Sequence, residues 1–197
     1  MTTFRGRIQD AFAEGVPISI ARGVRGRYEH RLKAVADFRQ MDDMRDRARR
    51  IRAEVISNLD EHLAVFADSV ERRGGTVYFA ADAAQANQYV VNLAKTEQVR
   101  RVVKAKSMVT EEIQLNAALE AAGVEAVETD LGEFIVQLAG EMPSHIIAPV
   151  LHKSRFDVAE LFADKLGNEY TDKPTDLNDI ARVYLREKFL TADMGIS

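Results

Sequence analysis

Apolar residues recur every three or four positions at Met44, Ala48, Ile51, Val55, Leu59, Leu63, Phe66 and Val70, with charged residues between them. That period is one face of a helix, and it predicts a long helix from about Asp42 to Arg73, stopped at Gly74–Gly75. Upstream, Gly15–Val16–Pro17 and the Arg22–Gly23 and Arg25–Gly26 pairs interrupt any such rhythm, so the first 30 residues read as irregular. Downstream the rhythm shortens. Thr76–Ala80, Val99–Ala105 and Val124–Glu128 are short apolar runs, each a strand candidate.

Helical signals lie between these runs. Asp82 is placed to cap a helix over Ala83–Asn92. Thr110 opens another, with Glu111 and Glu112 in its first turn and Gly123 at its stop. An apolar segment, Leu131 to Leu138, surrounds Gly132 and Glu133, and Ile146–Val150 reads as a strand or an extended turn. Further helices are predicted over Phe156–Leu166, stopping at Gly167, and from about Leu177 to Phe189. Strands alternating with helices over short links imply an α/β domain with a mainly parallel sheet. Such sheets place function at the carboxyl ends of their strands. The division expected is an arm with the long helix, residues 1–72, followed by the α/β domain, 73–197.

Composition narrows the class. Hydrophobic residues make up 46% and charged residues 29%, ordinary for a globular chain. No apolar run approaches the roughly 20 residues of a membrane helix, and the N-terminus lacks the apolar core of a signal peptide. The expectation is a cytoplasmic protein with no membrane span. Cysteine is absent, which excludes disulfides, thiol catalysis and thiolate metal sites within these residues. The net charge of −4 is uneven: +5 over residues 1–55 and −9 over the rest. The arm's arginines alternate with Asp42, Asp43, Asp46 and Glu54 and have few aromatic neighbours, a solvated helical face and no nucleic-acid surface.

Three segments carry candidate chemistry. After the second predicted strand, Lys104, Lys106 and Ser107 meet the start of the Thr110 helix, a combination suited to a carboxylate or phosphate. After the third, Glu128, Asp130 and Glu133 fall within six residues, a pattern suited to acid–base work, to cation binding or to a solvated turn. His145 and His152 flank the Ile146–Leu151 run, seven residues apart and without a third ligand, so no transition-metal site is expected. No dinucleotide, phosphate-loop, zinc-protease or serine-nucleophile motif is present, and no catalytic residue is assigned.

Together, Lys104–Ile113, Val127–Ile135 and Pro143–Ile147 closely resemble the lactate-utilisation, or LUD-domain, family, and within it the N-terminal part of the iron–sulfur subunit. Arg50–Arg52, Asn58–Leu63 and Gly74–Tyr78 fit that subunit as well, so the resemblance covers about residues 30–197. It implies a Rossmann-like fold akin to the NagB/RpiA/CoA-transferase group, incomplete at the C-terminus and preceded by the helical arm. It implies a place in a system that oxidises L-lactate to pyruvate, with the other lactate-utilisation subunits as partners. In the family, 4Fe-4S clusters sit in a later cysteine-rich region, after further core strands. None of those cysteines lies in this chain, so it is expected to bind no cluster and to oxidise no lactate alone. On this reading Lys104, Lys106, Ser107 and Thr110 hold a small carboxylate or phosphate, Glu128, Asp130 and Glu133 order the facing loop, and His145 closes the pocket. Two alternatives stay open: a sugar-phosphate isomerase or CoA-transferase-like enzyme with Glu128 or Glu133 as base or nucleophile, and a purely structural assembly module. A sheet ending at an unpaired edge also leads us to expect a homo-oligomer.

Overall fold

The computed structural model describes residues 3–13, 15–143 and 148–197. The chain divides into two compact units, one running Arg25–Ala81 and the other containing Asp82–Ser197. Helix α1 spans Phe4–Ala13 and α2 spans Val16–Asp37, so the opening segment is helical where irregular chain was expected. Pro17 sits in the first turn of α2, where its missing N–H removes no helical bond. Gly15, at φ +71°, takes the left-handed turn between the two helices.

The long helix expected over 42–73 is two helices, α3 (Met41–Ser57) and α4 (Leu59–Glu71). The break falls at Asn58, whose side-chain amide donates to the Glu54 carbonyl at 3.0 Å and competes with the regular ladder. Neither helix buries a residue, and Ile51, Leu59 and Phe66 are exposed on the apolar stripe.

The strand expected at Thr76–Ala80 does not form; these residues belong to no regular element, and Tyr78 and Phe79 are exposed. Composition favours a strand there, but a strand needs an edge to pair with. The described sheet has three strands, β1 (Arg101–Lys104), β2 (Glu125–Glu128) and β3 (Met194–Ile196), in the order β2-β1-β3. Both pairings are parallel, so β1 is central and both its edges are taken. The tail expected to lead into further strands is itself a strand. Asp193 pins it, accepting from the backbone N–H of Arg100 at 2.8 Å and of Arg101 at 3.1 Å.

Helix α5 (Ala83–Thr96) is capped by Asp82, as its sequence predicts, and runs one turn further than expected. The single helix expected from Thr110 is two, α6 (Met108–Glu112) and α7 (Leu115–Ala121), because Gln114 adopts φ +57° between them. Ser107, not Thr110, is the cap: its Oγ accepts the Thr110 N–H at 3.3 Å. The Leu131–Leu138 segment is helix α8 (Leu131–Ala139), capped by Asp130 and stopped by Gly140. Of Ile146–Val150, the first two residues lie outside those described, and Pro149–Val150 form a turn. Helix α9 (Arg155–Leu166) starts with a reciprocal Ser154–Asp157 capping box and stops at Gly167, and α10 (Pro174–Leu190) begins with Pro174 in its first turn.

Two apolar clusters hold this unit. Val102 and Ala126, on one sheet face, pack with Val91 and Ala94 of α5 and Leu115 and Leu119 of α7. Phe134 and Ile135 of α8, Val158 and Phe162 of α9, and Leu177 and Ala181 of α10 form the second. The observed class is α/β with a small parallel sheet, most residues being helical.

Candidate functional site

The parallel register pairs Lys104 with Glu128, the last residues of β1 and β2. Side chains alternate across a strand, so both share the face of Val102 and Ala126 and point towards α6 and α7. The Lys104 ammonium is wholly buried; it lies 2.8 Å from Glu128 Oε1 and donates to Thr110 Oγ1 at 2.8 Å. Asn116, on α7, donates to the same Glu128 oxygen at 2.8 Å. Glu128 Oε2 and Asn116 Oδ1 are buried and have no hydrogen-bond partner among the described residues.

A second pair lies just outside. Lys106 Nζ is 2.9 Å from Glu133 Oε1, with the lysine half-exposed and the glutamate buried. Burial pushes the Glu133 carboxyl above its ordinary value and a hydrogen bond with Asp130 adds to that, while Lys106 opposes both. Asp130 is held below its usual range, first by that hydrogen bond and then by the Gly132 N–H, which reaches Asp130 Oδ1 at 3.1 Å, with burial opposing. The hydrogen bond between the two carboxyls thus moves their acidities apart, Asp130 downwards and Glu133 upwards. The Glu133 hydrogen bond raises Lys106 in turn. A Cβ at Gly132 would meet Pro149 Cγ at 3.2 Å, so glycine permits the close approach of that turn to α8.

The sheet's β2 edge is closed by a side chain. Gln137 of α8 accepts the Glu128 N–H at 3.0 Å and donates to the Ala126 carbonyl at 2.7 Å, the two groups that a further strand would bond. Beyond the strand ends opens a cavity of about 490 Å³, whose lining includes Thr110, Asn116, Glu128, Glu133, Gln137 and Glu141. At its rim Glu141 meets Lys153 and His152, each at 2.6 Å. Those bonds outweigh its burial and hold its carboxyl below the usual range.

Seven of the eight residues singled out from sequence come together here; His145 lies outside the described residues. Both ammonium groups face carboxylates of the same chain, Ser107 is used as a cap, and α6 is only five residues long. Asn116 and Gln137 were not singled out. The available signal was a lone amide inside an apolar helical run, Leu115–Leu119 in one case and Phe134–Leu138 in the other. Among the described residues, no group of three or more His, Cys, Asp or Glu is placed to hold a metal ion.

Residues 63–197, which include every strand and both lysine–glutamate pairs, match the profile of the LUD domain. Lactate utilization protein B of Oceanobacillus iheyensis is 48% identical over 167 residues, 85% of this chain and 35% of the relative. The proteins of the same name from Bacillus cereus and Bacillus thuringiensis are 43% identical over 190 residues, 96% of this chain and 40% of theirs. This chain therefore spans well under half the length of the curated relatives it matches. No solved structure matches. With a domain profile covering all of the sheet and its flanking helices, and relatives this similar along most of its length, the chain belongs to the LUD-domain family.

Proposed function

We propose that this chain acts in L-lactate utilisation, as the LUD-domain portion of an electron-transfer protein serving the oxidation of lactate to pyruvate. The observation that carries the reading is the 43–48% identity over 85–96% of the chain to proteins named for lactate utilization. Oxidising lactate releases two electrons and two protons, and 4Fe-4S clusters would take the electrons one at a time. The residues here do not fit such a cluster: the chain has no cysteine to supply thiolate. Its own contribution is then assembly, the sheet and its helices forming a body that other lactate-utilisation subunits recognise in the cytoplasm. The exposed apolar stripe on α3 and α4 supports self-association as well.

A sugar-phosphate isomerase or CoA-transferase activity is less favoured. Its phosphate-bearing substrates would have to sit against a wall lined by glutamates, with both nearby lysines already paired. The deciding experiment is disruption of the gene that carries this chain, followed by growth on L-lactate as sole carbon source. Loss of growth, restored by the intact gene, is expected. Unimpaired growth on lactate refutes the proposal. Co-purification of tagged protein with the other lactate-utilisation subunits tests the assembly role, and sedimentation at micromolar concentration tests self-association.

A further inference from the structure

The cavity beyond β1 and β2 has a wall whose hydrogen bonding is incomplete. Glu128 is only 4% exposed, yet its Oε2 has no donor among the described residues. Its Oε1 is held by Lys104 and Asn116, which fixes the carboxylate in place. Asn116 Oδ1 also lacks a donor, and the amide cannot flip to mend this without giving up its bond to Glu128. These two buried acceptors belong to adjoining residues in the wall of a cavity of about 490 Å³, within the size range of small-molecule sites. Buried acceptors in folded proteins are almost always satisfied, so this pair calls for a donor that the described residues do not supply.

The charge of the wall selects among donors. Glu111, Glu120, Glu128, Glu133 and Glu141 line the cavity, and among the described residues no lysine, arginine or histidine does. Lys104 and Lys106 are engaged with Glu128 and Glu133, and Lys153 and His152 with Glu141. A carboxylate or phosphate entering here would lose hydration and meet like charge. An ammonium meets opposite charge and brings three N–H donors to the two free acceptors. Ala117, Val136 and Met142 add apolar wall for a short carbon stem.

We propose that this cavity binds a small primary ammonium compound, its N–H groups donating to Glu128 Oε2 and Asn116 Oδ1, and that it excludes lactate and other anions. The proposal does not depend on the role in lactate utilisation. It adds a ligand of opposite charge to the one that role involves.

The test is a titration of the 197-residue chain with n-butylammonium chloride at low ionic strength, followed by the methyl NMR signals of Ala117, Val136 and Met142. Glycerol, L-lactate and inorganic phosphate are run in parallel. Saturable shifts with n-butylammonium are expected, and none with lactate or phosphate. Asn116→Leu should weaken binding by about tenfold, the loss of roughly one charge-assisted hydrogen bond. The paired change Lys104→Met with Glu128→Leu removes the buried charge as a unit and should abolish binding. Should that double variant fail to fold, Asn116→Leu carries the test. Absence of saturable shifts, equal binding of glycerol, saturable binding of lactate or phosphate at these methyls, or undiminished n-butylammonium binding in Asn116→Leu each overturn the proposal.

Discussion

Lys104 and Lys106 stand two residues apart, and each meets a glutamate from the β2–α8 segment, yet their surroundings could hardly differ more. In the first pair the side chains are 0% and 5% exposed; in the second the lysine is 44% exposed and the glutamate 1%. The inner pair lies over the sheet face, enclosed by Thr110 and Asn116, with water excluded from its ammonium. The outer pair keeps its cation in solvent. Ion pairs of similar length, 2.8 and 2.9 Å, therefore carry different physical weight. Distance alone does not rank them; desolvation does.

Removing one member of the inner pair has the largest expected effect. Lys104→Ala strands a buried carboxylate and Glu128→Ala strands a buried ammonium, each expected to cost about 3–5 kcal/mol. Denaturant unfolding measures the loss. Lys104→Met combined with Glu128→Leu should recover most of it, because two apolar side chains of similar volume need no charge compensation. A double variant as unstable as either single one would show that the pair supports the sheet through its hydrogen bonds to Thr110 and Asn116.

A middle-sized effect is expected at Gln137, which faces the opposite risk from the lysines. Its amide stands in for a strand at the β2 edge, so Gln137→Ala leaves a backbone donor at Glu128 and an acceptor at Ala126 without partners. The expected cost is about 1–3 kcal/mol if those groups stay dry, and less if water reaches them. Amide hydrogen exchange at Glu128 should quicken, while exchange at Thr129, which donates to the Lys104 carbonyl at 3.0 Å, should change little. Unaltered exchange at Glu128 would mean that the edge needs no such cover.

How far the sequence reveals this difference depends on what each element needs. Val99–Ala105 and Val124–Glu128 contain real strands because their apolar residues serve a face that α5 and α7 cover. Thr76–Ala80 has similar composition but pairs with no strand among the described residues, an outcome that no local window contains. The break at Gln114 is also invisible, since glutamine rarely takes positive φ and nothing in its neighbours demands it. The strand-end rule gathers the right segments at one place. It does not reveal that Lys104 is buried: a lysine closing an apolar run reads as a surface residue until the register sets it beside Glu128. Glu133 is legible as an acid near a glycine, but its burial depends on how α8 packs.

The smallest expected effect belongs to the outer pair, and it is seen in titration instead of stability. Lys106→Ala should leave the melting temperature close to that of the parent, since a half-exposed cation exchanges one partner for water. Glu133 should nevertheless move, because Lys106 opposes the burial and the Asp130 hydrogen bond that raise it. Without the lysine its carboxyl should titrate higher still. Asp130→Asn should act in the other direction, returning Glu133 part of the way towards its ordinary value while burial keeps it above. Stability owed to the proton on Glu133 is fully present below the ordinary glutamate value and is lost as pH rises through the raised one. Stability owed to Asp130 has the opposite sign: it is present above the ordinary aspartate value and lost as pH falls through the lowered one. Side-chain carboxyl ¹³C shifts followed across this range separate the two groups. A Glu133 titration that Lys106→Ala leaves in place would mean that the 2.9 Å pair is screened by solvent despite the burial of its acid.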